Sequence, residues 1–117
     1  MPSLILHVDE IIENTLKNSV VKAIEKNMMK IIQKELEAEK NNCQIIWVRS
    51  KILSSNYKIF GELKFREKNT RNIKRRKDCL KQISEILQKE FNVSVRLRAF
   101  SIKEASITAL DLSLIHI

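Results

Sequence analysis

The stretch Tyr57-Lys-Ile-Phe-Gly-Glu-Leu-Lys-Phe-Arg66 decides the fold class. Tyr57, Ile59, Leu63 and Phe65 fall on one side of a period-two pattern interrupted by Gly61. Lys58, Glu62, Lys64 and Arg66 fall on the other, with Phe60 among them. Successive strand side chains point to opposite faces, so this alternation predicts a half-buried antiparallel strand. Such a strand needs partners along its edges and a cover on its apolar face, and the chain on either side supplies both.

Upstream, Asp9 to about Lys40 has helical spacing: Ile12, Leu16, Val20, Ile24, Met28 and Ile31 recur every three or four residues. Asp9 is the expected N-cap, and Glu10 and Glu13 suit the positive end of a helix. A single helix of that span would reach about 48 Å, so a break near Asn27 or a protruding C-terminal end is expected. Asn41-Asn42 reads as the stop. Residues 43–53, with Ile45, Ile46, Trp47 and Val48, read as a strand whose inward face is either Ile45/Trp47/Arg49 or Ile46/Val48/Ser50. Ser54-Ser55-Asn56 then has hairpin length.

Downstream, Asn69 or Thr70 is the expected N-cap of a second helix spanning about 71–91, with Ile73, Leu80, Ile83, Leu87 and Phe91 as its apolar stripe. Asn92 stands where a left-handed C-cap belongs. Val93, Val95, Leu97 and Ala99 alternate with Ser94, Arg96, Arg98 and Phe100, which predicts a third strand. The fold class is thus α+β: an α-β-β-α-β two-layer sandwich of the split β-α-β, ferredoxin-like kind. Its three-stranded mixed sheet carries both helices on one face. Residues 1–8 read as a leader or the end of a preceding segment, 9–103 as the domain, and 104–117 as a tail without clear pattern. Leu112–Ile117 resembles the peptide read through a common sequencing-library adapter, which would make the chain a fragment and His116 meaningless.

The 117 residues suit one domain, and 44% apolar with 31% charged residues is a globular balance. Cys43 and Cys79 lack any metal-finger spacing and fit free thiols in a reducing compartment. No apolar run approaches the roughly 20 residues of a membrane span, and the start lacks signal-peptide features; a cytoplasmic location is expected.

Charge is uneven. Residues 1–42 carry a net −1, residues 49–103 a net +11 and residues 104–117 a net −2. An anionic partner would therefore sit on the strand–helix–strand part. Two basic surfaces are candidates. One is the sheet face away from the helices, with Lys58, Lys64, Arg66, Arg96 and Arg98 interleaved with exposed Phe60 and Phe100, a pattern that binds phosphates and stacks bases. The other is Arg71, Lys74, Arg75, Arg76 and Lys77 at the start of a helix, where cations are electrostatically disfavoured unless an anionic neighbour is present. A solvated or interfacial face is the alternative for each. No catalytic or metal-ligating cluster stands out: His7, Cys43 and Cys79 are far apart in the chain, Glu35, Glu37 and Glu39 do not share a helix face, and one glycine excludes a Gly-rich phosphate loop.

Ile45-Ile-Trp-Val-Arg49, followed by the turn and Tyr57-Lys-Ile-Phe-Gly-Glu-Leu-Lys-Phe65, resembles the C-terminal cytoplasmic domain of cation diffusion facilitator transporters. The likeness covers about residues 9–100 and includes the element order, with Leu6-His7-Val8-Asp9 where a last membrane helix would lead in. The family's Ala-His pair and final-strand His are replaced by Arg76-Lys77 and Arg98-Ala99-Phe100, so no metal ligand carries over. The resemblance implies a non-enzymatic regulatory and dimerisation domain of a divalent-cation efflux transporter, without a cofactor of its own and with the divalent cation as cargo. The implied partners are a second copy, the membrane portion of a parent protein and anionic lipid headgroups. The alternative is a small nucleic-acid-binding module using the two basic surfaces.

Overall fold

The computed structural model describes residues 1–114. Four strands, β1 (Ser3–Asp9), β2 (Gln44–Ser50), β3 (Tyr57–Arg66) and β4 (Ser94–Ile102), form one mixed sheet. Three helices, α1 (Glu10–Glu13), α2 (Asn18–Glu35) and α3 (Ile73–Phe91), connect them, with single 3-10 turns at Lys40–Asn42 and Glu104–Ser106. The strand order is β2-β1-β3-β4. β1 runs parallel to β2 and antiparallel to β3, and β3 runs parallel to β4. The chain is therefore two β-α-β units joined by residues 51–56, with their first strands paired back to back at the centre.

This corrects the expected three-stranded sheet. The missing strand is Ser3–Asp9, which fills the middle of the sheet. Leu4, Leu6 and Val8 alternate with Ser3, Ile5 and His7, and the first set is fully buried under the helices. Ile5 blurs that alternation because a central strand is half-buried on its second face as well. With β1 inserted between them, β2 and β3 are not a hairpin. The 51–56 connection instead crosses the end of β1, where the Ile52 amide donates to Asp9 Oδ1 at 2.9 Å.

The long first helix is also divided, and at Asn14–Lys17 in place of Asn27. Asp9 does cap the first turn, accepting from the Ile11 amide at 3.0 Å. Its two backbone bonds hold its carboxyl below the ordinary carboxylate value. Thr15 returns its hydroxyl to the Ile12 carbonyl at 3.1 Å, the kind of local bond that competes with a continuing helix. Trp47 Nε1 donates to Glu13 at 2.7 Å, tying the short turn to β2. At the other end α2 stops at Glu35, where Leu36 serves as C-cap and Glu37 takes a left-handed φ of 48°.

The second helix runs as its stripe predicts, with Asn92 as a left-handed C-cap at φ 52°. Its N-cap is Asn72, whose side chain accepts from the Arg75 amide at 3.0 Å. Both helices cover the same sheet face. Ile24, Met28 and Ile32 of α2 and Cys79, Ile83 and Leu87 of α3 form one buried cluster with Leu4, Leu6, Ile59, Leu63 and Phe65. Ile45 and Trp47 pack at its edge, which settles the inward face of β2. Burial pushes the Cys79 thiol up to about 12 and keeps it protonated.

The glycine that interrupts the 57–66 pattern has a packing reason. Gly61 is registered between Leu6 of β1 and Leu97 of β4. A Cβ there would meet the Cδ2 atoms of those leucines at 2.6 and 2.7 Å. Gly61→Ala should therefore lower stability by about 1–3 kcal/mol through overpacking. Urea unfolding followed by Trp47 fluorescence checks this, and an unchanged midpoint would show that the leucines yield freely.

Candidate active site

Antiparallel pairing of β1 with β3 places the start of the chain beside the end of β3. Ser3 is registered with Lys64, so the two preceding residues run past Phe65 and Arg66. Pro2 is fully buried, and its carbonyl accepts from the Gln44 amide at 3.0 Å, which fixes it against β2. Met1 is half exposed, at 51%. Around these two residues opens a cavity of about 690 Å³. Arg66, Lys68 and Arg71 come from the end of β3 and the turn after it; Glu37 and Glu39 follow α2, and Glu104 and Asp111 follow β4.

Arg71 is the structural member of this group. It is buried, at 4% exposure, with Nε donating to the Leu36 carbonyl at 2.8 Å and Nη1 to the Arg66 carbonyl at 3.0 Å. Its guanidinium carbon also stands 5.9 Å from the centre of the Phe65 ring. One side chain thus joins the end of α2 to the end of β3, satisfying a carbonyl that the helix terminus leaves open. Arg66 pairs loosely with Glu104, at 3.4 Å, and Lys68 is exposed.

The chemically distinctive group is the amine. Burial lowers the pKa of the chain's terminal ammonium, and Arg66, Arg71 and Lys68 lower it further by charge repulsion. Cys43 acts weakly in the opposite sense. Glu37, Glu39, Glu104 and Asp111 line the wider cavity, while Arg66, Arg71 and Lys68 are the charges that push the amine's proton affinity down. An amine so placed is neutral and basic over more of the physiological range than an ordinary terminus.

The basic residues expected to act together are dispersed over three regions. Arg66 and Arg71 line the cavity. Lys58, Phe60, Lys64, Arg96, Arg98 and Phe100 belong to the sheet face away from the helices, where Phe60 pairs with Arg96 and Lys64 with Phe100. Lys64 Nζ stands 5.9 Å from the Phe100 ring centre. Tyr57, expected to face the helices, is turned out by a register shift between Tyr57 and Ile59 and lies 4.2 Å under the Arg96 guanidinium. Lys74, Arg75, Arg76 and Lys77 occupy the start of α3. Arg75 there donates to the Lys34 carbonyl and approaches Glu35 and Glu37 at 3.9 and 3.8 Å. The anionic neighbour expected for that helix start includes the C-terminal end of α2 within the same chain. Pro2 and the amine were not singled out from sequence; the only signal was a proline at position 2.

Among the described residues there is no group of three or more His, Cys, Asp or Glu side chains that could hold a metal ion. No helix among them is long and apolar enough to cross a membrane.

The four-stranded sheet made of two β-α-β units, with α2 and α3 on one face, is the tautomerase/MIF-like fold type of the solved structures that match it. No family model and no curated protein sequence matches the chain. Solved structures do. Pt0534, solved after inactivation by 2-oxo-3-pentynoate, matches with a TM-score of 0.75 and 12% identity, over 92% of this chain and 90% of its own. A fused 4-OT described as a symmetric trimer matches with a TM-score of 0.73 and 9% identity, over 92% and 90%. N1, of the cis-3-chloroacrylic acid dehalogenase family, matches with a TM-score of 0.72 and 12% identity, over 92% and 79%. At such identities the likeness carries the fold alone.

These matches overturn the resemblance to a cation diffusion facilitator domain, whose element order lacks a strand before the first helix. The regulatory role in a cation exporter falls with it, and the divalent cation, the membrane portion and the lipid headgroups had been implied by that resemblance alone. The expectation of a protein without enzymatic activity is likewise overturned, since the neighbours include tautomerase-superfamily enzymes.

Arg71→Ala would leave the Leu36 and Arg66 carbonyls without their donor and should cost about 2–4 kcal/mol in urea unfolding. Arg71→Lys should recover little of it, because one ammonium cannot span both carbonyls. Full recovery by lysine would show that charge alone matters at this position.

Proposed function

We propose that the protein is a small enzyme that uses its N-terminal amine as a base, or as a nucleophile, toward small unsaturated or 2-oxo carboxylic acids. The observation that carries this reading is the amine's position in the cavity of about 690 Å³, under cations that lower its proton affinity. Removal of Met1 would expose the Pro2 nitrogen at the same place, as a secondary amine held by strand pairing. In a keto–enol isomerisation the neutral amine takes a proton from the carbon beside the carbonyl. The C–H pair of electrons passes into a C=C bond and the carbonyl oxygen becomes an enolate. The ammonium then returns the proton to the enolate oxygen, which gives the enol, or, in an unsaturated acid, to the far carbon of the conjugated dienolate, which re-forms the carbonyl and moves the C=C bond. Arg66 and Lys68 are suited to hold the substrate carboxylate and the developing oxyanion, a preorganised role that water performs less well. Inactivation of Pt0534 by 2-oxo-3-pentynoate supports the choice of substrate class.

Oligomerisation of identical copies is part of the same reading. The uncovered sheet face carries Ile5, Ile46 and Val48 on its β2 side and Glu62, Arg96 and Arg98 on its β4 side. A trimer, the form in which the fused 4-OT neighbours are described, uses such a two-sided face; light scattering distinguishes it from the dimer expected from sequence.

The test is covalent trapping. Incubation with 2-oxo-3-pentynoate should add one reagent mass to the protein, mapped by peptide sequencing to the terminal nitrogen, which is that of Pro2 once Met1 is removed. Arg66→Ala should slow the addition by roughly tenfold or more, the order expected for removing one charged contact. Labelling should rise with pH through a value below the ordinary α-amino pKa of about 8 and level off once the amine is deprotonated. Labelling confined to Cys43, or a pH midpoint at or above the ordinary value, would refute the amine mechanism.

A further inference from the structure

The proposed reaction uses the cations of the amine cavity and gives its four carboxylates no task. Two of them are already taken. Glu37 lies 3.8 Å from Arg75, and Glu104 lies 3.4 Å from Arg66. Glu39 and Asp111 are exposed, and among the described residues neither carboxylate has a cation within 4 Å.

Both are placed by the same chain geometry that places the amine. The Glu39 carbonyl accepts from the Asn42 amide at 2.9 Å and from Cys43 Sγ at 3.3 Å. The next residue, Gln44, is the one whose amide holds the Pro2 carbonyl. Asp111 lines the amine cavity and also a second cavity of about 260 Å³, and the two cavities share Met1 and Arg66 as well. Asp111 thus stands where the two meet. Size points the same way. A cavity of about 690 Å³ lies in the range of roughly 300–1,000 Å³ that takes a drug-sized ligand, and a short oxo acid fills only part of it.

We propose that the substrate carries charge at both ends: a 2-oxo acid whose far end is a cation, an alkylammonium or a guanidinium. Arg66 and Lys68 hold its carboxylate, and Glu39 and Asp111 hold the cation. This rests on the enzymatic reading of the amine and adds to it the substrate's second charge. Opposite charges at two fixed places orient the molecule, because the reversed pose would set like charges together at each end. The same pair of carboxylates rejects a dicarboxylic acid, whose far end they repel.

Protection from labelling tests it on the full chain. Three 2-oxo acids of matched length compete with 2-oxo-3-pentynoate. They are 5-(trimethylammonio)-2-oxopentanoate, which cannot cyclise, its uncharged carbon counterpart 6,6-dimethyl-2-oxoheptanoate, and 2-oxohexanedioate, whose far end is anionic. The cationic acid should protect at a concentration about fivefold or more below the uncharged one, the order expected for two exposed ion pairs, and the dianion should protect least. In the double variant Glu39→Gln/Asp111→Asn the cationic and uncharged acids should come within about twofold of each other, with unchanged circular dichroism. The readout is the ratio of two competitors on one protein, so a general change in labelling rate cancels. Equal protection by these two acids in the unaltered chain, or a preference that survives in the double variant, would overturn the proposal and leave the amine reading standing. Labelling that none of the three acids slows would overturn it too, whereas the absence of labelling at the terminal nitrogen would take the enzymatic reading down with it.

Discussion

Everything in this molecule depends on β1 being hydrogen-bonded on both sides. It pairs with β2 along one edge and β3 along the other, and its inward side chains Leu4, Leu6 and Val8 are wholly buried. Its two ends are pinned by backbone partners: the Pro2 carbonyl to Gln44 at the start, and the Asp9 carboxylate to Ile11 and Ile52 at the finish. Because the strand is antiparallel to β3, the register that buries Leu6 against Gly61 also sends Pro2 and Met1 past Phe65 and Arg66. The cationic field at the amine is therefore a consequence of sheet register, and a one-residue slip would remove it.

The many cations of the second unit are accommodated by a device that only the fold reveals. A helix N-terminus disfavours positive charge, and a helix C-terminus has carbonyls without internal donors. The structure sets the first beside the second. Arg75 at the start of α3 and Arg71 just before it reach the Lys34 and Leu36 carbonyls at the end of α2. Glu35 and Glu37 lie within 4 Å of Arg75. The unfavourable placement on one helix thus becomes a cap on the other. Arg66 meets only the exposed Glu104, at 3.4 Å, and Lys68 is exposed, so these two stay at the cavity instead of capping a helix.

Local patterns in the sequence carry much of this, and long-range pairings do not. The alternation at 59–66 and 93–100, the α3 stripe and the Asn92 cap appear in the structure, because each depends on neighbours a few residues apart, whereas Tyr57 is turned out by the register shift beside it. Asp9 is a cap, but of one turn. The turn at 14–17 was hidden by an apolar stripe that continues across it, from Ile12 through Leu16 to Val20. β1 was hidden for the opposite reason: seven residues with Ile5 on the outward face read as an apolar leader, and only its two partners show it to be a strand. Without that strand, residues 43–66 read as a hairpin, and the element order α-β-β-α-β then resembles a different family. The amine cavity was beyond sequence patterning altogether, since its walls come from residues 1–2, 37–42, 66–71, 104 and 111.

Those separate stretches meet because of how two antiparallel β-α-β units place their ends. The start of β1, the end of β3 and the end of β4 lie at one end of the sheet, together with the close of α2 and the opening of α3. The opposite end has its own gathering: the finish of β1 and the start of β3 bring His7, Ser50, Phe60, Tyr57 and Arg96 around a cavity of about 400 Å³. There His7 Nδ1 and Ser50 Oγ are 3.1 Å apart. The two ends are alike in topology and differ in chemistry. At the second, the imidazole stacks on Phe60 with ring centres 6.3 Å apart, and Arg96, which lines the cavity, stands over the Tyr57 ring. At the first, Arg66 and Lys68 surround a nitrogen that burial has already made easier to deprotonate. A near-symmetric fold becomes asymmetric in chemistry because sheet register sets Met1 and Pro2 beside Arg66 and Arg71 at one end and His7 beside Phe60 at the other.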